Sequence, residues 1–82
     1  MQKRGLSSRR TASSSSRRLG VRIRQIRQRL GIPQERLADR AGIHVTYLSG
    51  LETGRRNPTL NVLVDIANAL GMSVSRLLKD VD

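Results

Sequence analysis

The chain has 82 residues, 16 of them Lys or Arg and 6 Asp or Glu, with a formal net charge of +10 and no Cys, Trp or Phe. That length holds one small domain and a tail. The absence of Cys excludes disulfides and thiolate metal sites, a single His excludes a His-rich metal cluster, and no apolar run approaches the ~18 residues of a spanning helix. What remains is a small, soluble, strongly basic domain suited to a polyanionic partner.

Residues 1–18 carry Lys3, Arg4, Arg9, Arg10, Arg17 and Arg18 and no acid. Their apolar residues are only Met1, Leu6 and Ala12, too few to offset the entropy of ordering, so the segment reads as a disordered basic tail. Three roles stay open for it: a solvated extension adding non-specific nucleic-acid affinity, an arm that orders in a DNA groove, or a targeting segment. Twin-arginine export is excluded, because Ser13, Ser14, Ser15 and Ser16 stand where an apolar region is required. Phosphates on that Ser run would cancel the tail's charge, but nothing in the sequence favours such a switch.

From Leu19 the pattern becomes helical. Leu19, Ile23, Ile26 and Leu30 are spaced 4, 3, 4 and define one apolar face. Arg22, Arg24 and Arg29 interleave with it, either as a solvated face or as phosphate contacts. Gly31 stops this helix, and Pro33 opens a second over 33–40 with Leu37, Ala38 and Ala41 inward. Gly42 breaks the second, and a third follows over 44–52 with Val45, Leu48 and Leu51 inward. The run TGRRNP at 53–58 is a loop. A fourth helix over 60–70 presents Leu60, Leu63, Ile66, Ala67 and Leu70. Gly71 ends it, and Ser73 caps a fifth with Val74, Leu77, Leu78 and Val81. The expected fold is therefore all-α, five short helices over 19–82 with no strand. Val64, Met72, Val74 and Leu78 exceed what one small core needs, which points to a homodimer through the C-terminal helices.

The segment QERLADRAGIHVTYLSGLET at 34–53 has the helix, Gly-containing turn and helix of a helix-turn-helix motif. Ala38 is small where the two helices approach, Gly42 suits a positive φ, and Ile43, Leu48 and Leu51 fill the wedge. With RQIRQRLGIPQERLADRAGI before it, GRRNPTL after it, and the ALG and SVSRLL segments that follow, the chain resembles the lambda-repressor/Cro-like helix-turn-helix family of bacterial and phage regulators. Within that family it is similar to restriction–modification controller proteins and short prophage repressors.

The resemblance implies a sequence-specific regulator of transcription, a dimer on double-stranded DNA with the 44–52 helix in the major groove. It implies DNA contacts from Gln34, His44, Val45, Thr46, Tyr47, Ser49, Arg55, Arg56 and Asn57: Gln34 to a phosphate, Val45 to a thymine methyl, and Thr46, Tyr47 and Ser49 to base edges or phosphates. It also implies a structural ion pair between Arg27 and Glu52, at least half buried. Two departures from the family pattern stand out. Pro33 replaces the usual Ser or Thr before the Gln, losing a capping hydroxyl. Gly50 falls where several relatives place a long polar base reader, so bidentate base contacts would have to come from Arg55 or Arg56.

An alternative is an antitoxin or adaptor using the same fold mainly to hold a protein partner. An enzyme is not expected: the sequence has no nucleophile–base–orienter set, no metal ligands, and GLETGRR lacks the spacing and Lys of a P-loop. No cofactor, no small-molecule effector domain and no membrane association are expected, and the location expected is the cytoplasm, on the nucleoid when bound.

Overall fold

In the computed structural model the first helix begins well before the apolar periodicity announces it. The structure describes residues 2–81, with side chains from residue 14 onward. Expectations for Lys3, Arg4, Arg9 and Arg10 therefore lie outside the described side chains. Helix α1 is Gln2–Arg29, and Ser16 and Arg17, expected to belong to the tail, touch the loop after α3. Ser16 is 7% exposed and its hydroxyl donates to Asn57 Oδ1. The Arg17 stem lies against Gly54. Hydropathy could not reveal this docking, because the partners are polar or backbone groups about forty residues further along the chain.

The remaining helices are α2 (Gln34–Ala41), α3 (Val45–Glu52), α4 (Leu60–Ala69) and α5 (Val74–Leu77), and no strand occurs among the described residues. Each boundary has a local cause. Pro33 is the N-cap of α2 rather than its first residue. It has no side-chain acceptor to offer, but its carbonyl accepts from Arg36 and Leu37 at 3.1 Å. At the other end Gly42 takes φ 71°, and Ile43 N–H reaches back to the Ala38 carbonyl at 2.9 Å, the left-handed stop that favours glycine. His44 caps α3 in extended conformation without a side-chain bond. Thr59 Oγ1 accepts from Val62 N–H at 3.2 Å at the start of α4, and Ser73 Oγ accepts from Arg76 N–H at 3.1 Å at the start of α5.

One core joins the helices: Leu19, Ile23 and Ile26 from α1, Leu37, Ala38 and Ala41 from α2, Leu48 and Leu51 from α3, Ile66 and Ala67 from α4, Leu77 from α5, and Ile32 and Leu70 beside them. Burying each large side chain contributes about 1.5–3 kcal/mol. Two residues expected inward are not. Leu30 is 53% exposed, because α1 has ended and Gly31, at φ 70°, turns the chain so that Ile32 takes the core position. Leu60 is 69% exposed at the first turn of α4, where Val62 and Leu63 pack on the core instead.

The fifth helix is also shorter than its apolar spacing suggests. It stops at Leu77, and the chain turns through Asp80 at φ 66°. Arg22 supplies the reason. Its Nη2 donates to the Arg76 carbonyl at 2.9 Å and its Nε to the Leu77 carbonyl at 3.2 Å, so a side chain takes up the carbonyls at the helix end. Arg22 is thus a structural cap, neither of the two roles its sequence context allowed.

Candidate nucleic-acid interface

The helix-turn-helix pair is built on small residues and one ion-pair clamp. Gly20 on α1 meets the end of α3 so closely that an added Cβ would sit 2.4 Å from the Leu51 carbonyl oxygen and 2.5 Å from that of Glu52. Nothing in the residues around Gly20 marks this role, since the close approach it permits is to a segment thirty residues away.

Two turns further along the same side of α1, Arg27 Nε and Nη2 donate to Glu52 Oε2 and Oε1 at 2.7 and 3.0 Å. The side chains are 11% and 2% exposed. Gln34 Nε2 donates to Glu52 Oε1 at 2.9 Å, and Arg27 Nη1 donates to the Ile32 carbonyl at 2.9 Å. Glu52 therefore binds α1 and the start of α2 at once, and every buried side-chain polar atom among the described residues has a partner. A bidentate, shielded Arg–carboxylate pair of this kind holds orientation more than it adds net stability. What it orients is the end of α3 against the start of α2.

The outward face of α3 follows from that docking. Leu48, Gly50, Leu51 and Glu52 are buried. His44 and Thr46 are exposed, and Val45, Tyr47 and Ser49 are half-buried, with Val45 and Tyr47 also touching the core. Thr46, Ser49 and Thr53 recur at helical spacing on one outer stripe. Thr53 is exposed, and its hydroxyl donates to the Ser49 and Gly50 carbonyls at 3.1 and 3.2 Å.

The loop after α3 folds back onto the helix. Arg55 and Arg56 N–H groups donate to the Gly50 carbonyl at 2.9 and 3.1 Å. The Arg56 stem then crosses Gly50, its Cγ 2.6 Å from where a Cβ would stand. The Arg56 guanidinium lies over the Tyr47 ring at 5.6 Å from the centroid, within cation–π range. Position 50 is thus the bed of a loop arginine. Tyr47 Oη donates to the Asn57 carbonyl at 3.3 Å, while Asn57 Oδ1 accepts from Ser16.

The candidate residues therefore divide by what already holds them. His44, Thr46 and Arg55 are exposed, and Arg56 is exposed but lies across Gly50 and the Tyr47 ring. Tyr47 and Asn57 are tied into the loop, and one Gln34 amide hydrogen goes to Glu52. No group of His, Asp or Glu suited to a metal occurs among the described residues, and no helix there is long and apolar enough to cross a membrane.

The helix-turn-helix family model matches residues 23–77. An HTH-type transcriptional regulator of Sinorhizobium fredii is 41% identical over 64 residues, covering 78% of this chain and 83% of that one. The control protein C.SmaI of Serratia marcescens is 40% identical over 60 residues, covering 73% and 71%. Among solved structures, the restriction–modification controller protein C.AhdI from Aeromonas hydrophila superposes with a TM-score of 0.74 at 34% identity, over 76% of this chain and 94% of that one.

Proposed function

The chain belongs to the helix-turn-helix family, and on that premise we propose that this transcriptional regulator binds a specific operator in double-stranded DNA as a homodimer, with α3 in the major groove. The observation that carries the reading is the α3 face itself. Thr46 and Ser49 stand on its outer side with half-buried Tyr47 beside them, and Arg56 is held across Gly50 and the Tyr47 ring before any ligand arrives. A preorganised guanidinium loses less freedom on binding than a free one, and Arg is the side chain suited to bidentate contact with guanine. Arg55 and the second Gln34 amide hydrogen serve the flanking phosphates, and Val45 and His44 sit at the helix start that enters the groove first. Asn57 orders the loop through its carbonyl and side chain.

Exposed apolar residues on α4 support a two-fold partner there. Leu60 and Val64 are exposed and one turn apart, an apolar pair that the monomer leaves uncovered. Dimers of this motif bind half-sites about one helical turn apart. Catalysis has no part in this reading.

Titration of the purified protein against the DNA upstream of its own gene and against a scrambled duplex, at two salt concentrations, tests the proposal. We expect a preference of at least ~10³-fold for the upstream DNA. Equal, salt-sensitive affinity for both overturns the operator reading, and co-purification of a protein at fixed stoichiometry would then favour an adaptor.

A further inference from the structure

The arginines of α1 fall on two sides of the helix. At about 100° per residue, the stripe centred on Gly20 and Arg27 faces α3, since Gly20 abuts the Leu51 and Glu52 carbonyls and Arg27 grips Glu52. Arg17 and Arg24 lie within about 60° of that stripe by the same helical geometry. Arg22 and Arg29 lie about 200° from it, on the side that meets α5, where Arg22 caps the Arg76 and Leu77 carbonyls.

Arg17 and Arg24 are both exposed, and neither has a hydrogen-bond or ion-pair partner among the described residues. Arg17 is anchored by its stem over Gly54, on the loop that also carries Arg55 and Arg56, and the Ser16–Asn57 hydrogen bond pins the same loop to the same turn of α1. Four exposed cations thus stand along one edge of the α3 face, none of them in an ion pair among the described residues, while Glu52 at the end of α3 is buried and already neutralised by Arg27. Unneutralised like charges gathered at one edge repel one another, and a row of phosphates relieves that repulsion.

We propose that α1 supplies a second row of DNA-backbone contacts, from Arg17 and Arg24, beside the recognition helix. The inference rests on the operator-binding reading and extends it: the footprint includes phosphates next to those met by α3 and its loop. Arg17 and Arg24 are seven residues and about 10.5 Å apart along the helix, so they meet separate phosphates. These contacts set affinity and register, and they carry no base information.

The test compares three full-length proteins, the wild type, R17Q/R24Q and R29Q, by the dependence of duplex affinity on salt. Gln keeps the aliphatic stem that packs over Gly54, and R29Q removes a charge from the far side of the same helix. Each phosphate neutralised contributes about 0.9 to the log–log slope, so the double variant should lose about 1.8 from it. Over a fourfold rise in salt the wild type then loses about tenfold more affinity than the double variant. R29Q should keep the wild-type slope, R17K/R24K should restore it, and the preference for operator over scrambled duplex should persist in all. An unchanged slope in R17Q/R24Q, or an equal loss in R29Q, overturns the α1 row. A wild type with no operator preference refutes the operator reading instead, and the slopes on the scrambled duplex still decide the α1 row.

Discussion

Replacing Glu52 with Ala isolates the work of the clamp. The carboxylate is 2% exposed and accepts from Arg27 Nε, Arg27 Nη2 and Gln34 Nε2. Without it the Arg27 guanidinium, 11% exposed, keeps only its bond to the Ile32 carbonyl. Stranding a buried charge costs about 3–5 kcal/mol, and the lower figure applies because one guanidinium bond survives. In a domain of this size 1 kcal/mol moves the melting temperature by about 4–8 °C, so Glu52→Ala should melt about 12–24 °C below the wild type. Urea unfolding followed by far-ultraviolet circular dichroism measures the free energy directly. The matching double variant, Arg27→Met with Glu52→Leu, should recover most of the loss, because apolar replacements remove both desolvation penalties together. A Glu52→Ala cost under about 1 kcal/mol would refute the reasoning, since the pair would then behave as an exposed salt bridge. So would a double variant no more stable than the single one.

Four further outcomes follow from particular contacts. Gly20→Ala should cost about 1–3 kcal/mol by forcing α1 from α3, because the added Cβ meets backbone oxygens that cannot move aside; thermal melting checks it. Gly50→Ala meets only the flexible Arg56 stem and gains helix propensity, so stability should change by less than about 1 kcal/mol while operator affinity falls as Arg56 is displaced, a contrast read by running melting and binding on one sample. Arg22→Ala removes both carbonyl bonds at the end of α5 and should cost about 1.5–3 kcal/mol, with hydrogen exchange fastest in residues 74–81. Leu60→Glu with Val64→Glu should leave the melting temperature of dilute protein nearly unchanged but raise the dimer dissociation constant at least about tenfold, since each carboxylate would lose water at the contact; sedimentation across a concentration series measures it.

Much of the helical layout is legible in the residues themselves. The 3.6-residue recurrence of Ile23 and Ile26, of Leu48 and Leu51, and of Ile66, Ala67 and Leu70 marks which faces turn inward, and these residues are buried. Gly31, Gly42 and Gly71 mark where helices stop, and each has a positive φ. These signals are local: periodicity and backbone conformational preference act within a few residues, so one chain suffices to read them. The helix-turn-helix identity is equally local, carried by the run from Gln34 to Thr53.

What the tertiary structure alone decided rests on partners far apart in the chain. Ser16 and Arg17 leave the expected tail because Ser16 finds Asn57 and Arg17 finds Gly54. Arg22 leaves the solvated face because α5 ends beside it. Gly50 reads in sequence as a missing base reader and becomes, in three dimensions, the seat of Arg56. In each case hydropathy and spacing are the same whether or not the distant partner arrives, and only packing brings it within reach of a hydrogen bond or a van der Waals contact.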